Sequence, residues 1–201
     1  MKFILVTLLF FYAVPFATAQ SNQELLQEIE RYQQKLNDTY TNPETTILLR
    51  KDFKRFKGLE FYPADLKYRV EAVFVRTPDE KPFLMPTTTD RLPEYVKYGE
   101  FHFQIDSLEF VLDVFQNTSP SPGYETSLFL PFTDITSGNG SYGGGRYLDM
   151  EMPEGNRAII DFNKAYNPYC AYNPGYSCPI PPEQNDMQTR IEAGVKDFLK
   201  K

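Results

Sequence analysis

Glu100-Phe101-His102-Phe103-Gln104-Ile105-Asp106-Ser107-Leu108-Glu109-Phe110-Val111-Leu112-Asp113-Val114-Phe115 decides the fold class. Phe101, Phe103 and Ile105 alternate with polar residues, so they share one face of a strand, and His102 and Gln104 share the other. Asp106-Ser107 is a tight turn, and Leu108 to Phe115 is the return strand. The same period-two reading extends in both directions. Tyr68 to Val75 precedes this hairpin as a strand. Ser127 to Phe132, Arg146 to Met152 and Arg157 to Phe162 follow it, with Met152-Pro153-Glu154-Gly155-Asn156 as the turn between the last two. Many short strands between Pro and Gly turns predict an α+β, mostly β domain, an antiparallel sandwich or barrel.

Helical patterns flank the β region. Leu25, Ile29, Tyr32 and Leu36 recur on a 3.6-residue period, with Ser21 or Asn22 as the cap. A shorter helix is expected from about Thr46 to Lys57, where Leu49, Phe53 and Phe56 share a face and Gly58 supplies the C-terminal cap. A last helix is expected from Asp186 to Leu199, burying Ile191, Val195 and Phe198. The N-terminal helical segment, 20–58, and the β-rich part, 59–201, are read as one globular unit.

The N-terminus reads as a secretory signal peptide. Lys2 precedes an apolar run from Phe3 to Phe16, and Ala17-Thr18-Ala19 forms a small-x-small cleavage site before Gln20. The run is too short to cross a bilayer. A secreted or periplasmic protein is therefore expected, with no transmembrane segment in the mature chain. Removing Met1–Ala19, whose one charge is Lys2, leaves 182 residues and a net charge of −7. That acidic balance, without a basic run, argues against nucleic acid and anionic membrane surfaces as partners.

Gly138-Asn139-Gly140-Ser141-Tyr142-Gly143 carries the letters of a dinucleotide-binding loop, but Gly144-Gly145 and a strand follow where a helix is required. It reads instead as a wide hairpin loop. Its polar surroundings are Thr133, Asp134, Thr136 and Ser137 before it and Arg146 and Asp149 after it. Arg146 is suited to a carboxylate or phosphate-like group through its planar fork, or to fixing the loop by pairing with Asp134 or Asp149. Ala-Tyr-Asn-Pro occurs twice, at Ala165–Pro168 and Ala171–Pro174, in a segment rich in Tyr faces and amides. Cys170 and Cys178, the only cysteines, are expected to form a disulfide in an oxidising compartment. His102 is the sole histidine, no nucleophile motif accompanies it, and no cofactor or metal motif is present.

These observations converge on one expected polar, aromatic face: Asp134, Ser137, Tyr142, Gly144, Arg146, Asp149, Asp161, Asn163, Tyr166 and Asn167. The leading expectation is a small-ligand or envelope-component binding module. Its alternatives are a hydrolase or transferase using Asp134, Asp149 or Asp161 as general acid or base, and a structural envelope protein without a ligand.

The motifs themselves resemble a known family. Tyr62-Pro63, Met85-Pro86-Thr87-Thr88-Thr89, Leu128–Asp134, Tyr142–Asp149, Asp161–Pro168, Cys170-Ala171-Tyr172 and Cys178–Pro182 are similar to the domain-of-unknown-function family 1684. The resemblance runs from about Glu24 to Phe198. It implies a bacterial protein of uncharacterised function and supplies neither catalytic residues nor a substrate.

Overall fold

The computed structural model describes residues 15–198, with side chains from residue 21. Most of the expected signal peptide, Met1–Ala19, lies outside the described residues. A long helix, α1 (Pro15–Thr41), begins before the expected cleavage point and runs without a break past Ser21 and Asn22, so neither is its cap. A single turn, α2 (Arg50–Phe53), replaces the longer helix expected over Thr46–Lys57.

The strands are β1 (Arg69–Arg76), β2 (Phe83–Leu84), β3 (Glu94–Ile105), β4 (Leu108–Asn117), β5 (Ser127–Asp134), β6 (Arg146–Glu151), β7 (Arg157–Asp161) and β8 (Asp186–Met187). The main sheet is antiparallel, in the order β6-β5-β4-β3-β1-β7. It is one curled sheet, a half-barrel, and not the expected sandwich. The connection between β6 and β7 explains the curl. These strands form opposite edges of the sheet, yet only residues 152–156 separate them. Six strands laid flat would hold their edges about 24 Å apart, whereas the connection reaches at most about 21 Å. The sheet must bend until its edges approach. Phe74 N–H donating to the Asn156 carbonyl at 2.9 Å ties the corner down. The segment Met152–Asn156 is therefore a corner link between edges and not a hairpin turn.

The expected C-terminal helix is replaced by β8 and an irregular run. Ile191 and Val195 of the expected stripe are buried, and Ala193 with them, but as irregular chain, with Ile191 and Ala193 packed into the core of the sheet. Gly194 explains the difference. Its φ of +73° suits glycine, and an added Cβ would meet the Ala165 carbonyl oxygen at 2.5 Å.

The inner face carries the main core: Val70, Ala72 and Phe74, then Phe101, Phe103 and Ile105, then Leu128, Leu130 and Phe132. Each large side chain buried there contributes about 1.5–3 kcal/mol. A bulge between Lys97 and Gly99 inverts the parity of β3. Tyr95 and Lys97 thereby share the outer face with Phe115, Phe129, Tyr147 and Asp149. β4 and β5 pair only through Phe115 and Phe129, because Pro131 has no N–H to extend the ladder. Asn185 fills the gap. Its Nδ2 donates to the carbonyls of Asp113 (2.8 Å) and Pro131 (2.7 Å), and its Oδ1 accepts from Asp113 N–H (2.8 Å).

Candidate functional site

The expected face divides into separate environments. Around the Gly-rich loop the polar groups turn inward. Arg146 has no exposed surface. Its Nη2 donates to Asp134 Oδ1 (2.9 Å), to the Ile191 carbonyl (2.8 Å) and to Thr136 Oγ1 (3.3 Å), and its Nη1 donates to the Ala193 carbonyl. The second carboxylate oxygen of Asp134 accepts from the backbone N–H groups of Thr136 and Ile191. Ser137 Oγ accepts from Asp134 N–H at 3.2 Å. The pairing of Arg146 with Asp134 fixes the loop and anchors the final segment to β5 and β6. This arginine does not present its fork to an outside anion.

Asp161, Asn163 and Asn167 are likewise internal. Asn163 has no exposed surface. It binds the backbone of Asp65 in both directions at 2.9 Å and donates to Asp161 Oδ1 at 2.9 Å. Asp161 lies 3.7 Å from Arg69 Nε. Asn167 donates to the Lys196 carbonyl (2.8 Å) and to the Tyr172 hydroxyl (3.3 Å). Gly144 lies against the ring of Tyr142, where a Cβ would meet Cε1 at 2.6 Å. The Tyr142 hydroxyl lies 3.8 Å from Cys170 Sγ.

Asp149 and Tyr166 occupy a different place, a cavity of about 430 Å³ between α1 and the outer face of the sheet. Helix α1 contributes Tyr32, Leu36 and Tyr40. The sheet contributes Tyr95, Phe129, Tyr147 and Asp149. The segment after β7 contributes Tyr166, Tyr169 and Cys178. Four rings form a continuous wall: Tyr95–Phe129 centroids lie 5.8 Å apart, Phe129–Tyr147 4.7 Å, and Tyr147–Tyr166 5.9 Å. Backbone bonds in both directions between Tyr147 and Tyr166, 2.9 and 3.0 Å, cap the free edge of β6 and set the corner of this wall.

The Tyr166 hydroxyl lies 2.9 and 3.0 Å from the two oxygens of Asp149. The carboxylate is exposed to the cavity, with aromatic rings crowded around it. Desolvation raises its pKa above the ordinary value, against the lowering effect of the Tyr166 bond. Burial, with the charges of Asp149 and Asp161 nearby, pushes the Tyr32 hydroxyl up to about 12. Tyr95, Tyr147 and Tyr166 are also raised by burial, so these phenols are neutral at physiological pH.

Cys170 and Cys178 are free thiols in this structure. The expected bridge is not formed, yet the two are in contact: Cys170 N–H donates to Cys178 Sγ at 3.1 Å. Donation from Cys178 and Tyr142 lowers the Cys170 thiol to about 6, while Cys178, beside that sulfur, is raised. Among the described residues, no group of three or more His, Cys, Asp or Glu side chains gathers as a metal site, and no helix is long and apolar enough to cross a membrane.

The sequence points to Tyr147, within the Tyr142–Asp149 motif, and to Asp149 and Tyr166, but not to the rest of the cavity wall. Tyr32 and Leu36 read as a packing stripe and Phe129 as part of a strand and family motif, while Tyr95 carries no signal of its own. The one available clue was Tyr95 lying on the same parity as the core-facing Phe101, which only a bulge could send to the outer face.

The fold is similar to a solution NMR structure of an uncharacterized protein from Haloarcula marismortui, with 28% identity and a TM-score of 0.71 over 90% of this chain and 99% of that one. No curated protein matches this chain. The resemblance drawn from the motifs therefore rests on a direct family match, which covers the β-rich part and leaves α1 outside it: through residues 54–196, the chain belongs to the family described as Protein of unknown function (DUF1684).

Proposed function

We propose that this protein is a small-ligand-binding module that acts outside the cytoplasm, and that the cavity beneath α1 is its site. The cavity itself carries this reading: about 430 Å³, walled by aromatic rings around one carboxylate. Ligand sites of this size combine apolar walls with few polar groups that fix orientation. The apolar run and Ala17-Thr18-Ala19 pattern support export.

The distribution of aspartates favours binding over hydrolysis. A carboxylate acid–base pair needs two such groups at one place. Asp134 is held by Arg146 and Asp161 by Arg69, leaving Asp149 as the carboxylate of the cavity.

Native mass spectrometry of the chain purified from its own host tests the reading. The expected result is a retained small molecule, or stabilisation by members of a compound library, that disappears in Leu36→Trp, which fills the cavity from the helix. A bare chain that no small molecule stabilises would leave the structural reading in its place.

A further inference from the structure

The cavity wall has a sign. Among its lining residues there is no Lys, Arg or His, and its one charged group is Asp149. No cationic side chain forms an ion pair with that carboxylate among the described residues; its polar partner is the neutral Tyr166 hydroxyl. The buried acidic groups are answered, Asp134 by Arg146 and Asp113 by Lys97 at 2.8 Å, whereas Asp149 opens onto the cavity. Aromatic faces add negative potential, because the ring quadrupole places its negative lobes above the plane.

The hydroxyls in the wall are largely committed. Tyr147 donates to the Pro179 carbonyl and Tyr166 to Asp149. Tyr40 is engaged with Tyr172, and Tyr95 with Asn117. Ser177 Oγ bonds to Thr87 at 2.9 Å. A sugar needs many free donors and acceptors, and a primary ammonium needs three acceptors. A quaternary ammonium needs none: it requires ring faces and a nearby negative charge.

Resting on the binding reading above, we propose that the ligand of this cavity is an organic cation of the quaternary ammonium class, held against the faces of Tyr95, Phe129, Tyr147 and Tyr166 with Asp149 as its counter-ion.

The test is calorimetric titration of the whole chain with choline and with its uncharged isostere 3,3-dimethylbutan-1-ol, alongside N-acetylglucosamine. Choline is expected to bind roughly tenfold or more tightly than the isostere. Asp149→Asn keeps an acceptor for Tyr166 and is expected to remove most of that preference. Phe129→Leu serves as the second variant, and is expected to weaken choline more than the isostere. Equal binding of choline and isostere, or choline affinity unchanged in both variants, overturns the cation assignment and leaves the small-ligand reading standing. Binding of the sugar alone does the same. If choline does not bind, the cation assignment fails; if the purified chain also carries no small molecule and none stabilises it, the binding reading fails with it.

Discussion

The Arg146 guanidinium and the Asp134 carboxylate form an ion pair at 2.9 Å with both side chains completely enclosed. The pair joins the end of β5 to the start of β6, and the same guanidinium binds the carbonyls of Ile191 and Ala193. It therefore joins the two ends of the Gly-rich loop to a segment that begins 45 residues beyond Arg146 in sequence. Arg146→Met would strand the Asp134 charge in the interior, and is expected to cost about 3–5 kcal/mol. Arg146→Lys is expected to be milder but still destabilising, since one ammonium does not reproduce the fork. Denaturant midpoints at constant m-value measure both, and a loss below about 0.5 kcal/mol for Arg146→Met would contradict the anchoring role.

Asn185 replaces a missing stretch of ladder between β4 and β5. Asn185→Ala leaves Asp113 N–H and two carbonyls without these bonds at a buried seam. The expected cost is about 1–3 kcal/mol. Amide exchange at Asp113 is the specific readout: it should accelerate far more than exchange at Phe103, in the intact β3–β4 hairpin. Uniform acceleration would instead mean that Asn185 supports only global stability.

The contrast between these two sites shows what periodicity conveys. The alternation of Phe101, Phe103 and Ile105 directly encodes a strand with one buried face, because the pattern and the pleat share a period. The chain also showed that Arg146 has two acidic neighbours, without showing which one it pairs with. Sheet order was hidden, because β6 and β7 adjoin in sequence but lie at opposite edges, and only the curl brings those edges together. Ile191, Val195 and Phe198 satisfy a helical spacing by coincidence; irregular chain crossing Gly194 buries the first two equally well. The cavity was half legible for the same reason. Asp149 and Tyr166 belong to a conspicuous motif, whereas Tyr95 reaches the wall only through the bulge in β3.

Cys170 and Cys178 are placed to react with each other. With a disulfide oxidant such as glutathione disulfide, a bridge would form by attack of the Cys170 thiolate, which releases one glutathione, followed by attack of Cys178 on the resulting mixed disulfide, which releases the second. The two thiols lose two protons and two electrons, and the oxidant leaves as two reduced thiols. The lowered Cys170 thiol predicts that it is alkylated faster than Cys178 near neutral pH. Oxidation should remove about 2 Da and stabilise the fold by about 2–3 kcal/mol. Intact mass before and after oxidation, with peptide mapping of the alkylated site, checks both. Preferential labelling of Cys178 would show that the proton sits on the other sulfur.

Asp149 has opposite pH signatures for stability and for the proposed ligand. Burial among the rings raises its folded-state pKa above that of the unfolded chain. The folded state then holds its proton to higher pH, so this group's contribution to stability falls as pH rises through that interval. The groups facing it are Tyr32 and Tyr40 on α1, Tyr95 on β3, Tyr147 on β6, and Tyr166, Tyr169 and Cys178 after β7. All are neutral in the acid range, since burial raises each of them or, for Cys178, the neighbouring sulfur does. Asp149→Asn is therefore expected to match the native chain in Tm near pH 3, to exceed it as pH rises above the ordinary carboxylate range, and to keep a constant margin once Asp149 is ionised in the folded state. Choline affinity should run the other way, weakening as acid protonates Asp149 in the native chain and staying flat in Asp149→Asn. Parallel melting curves and titrations across this range read both effects. A variant less stable than the native chain at pH 8 would mean that the carboxylate is needed by the fold and not reserved for a ligand.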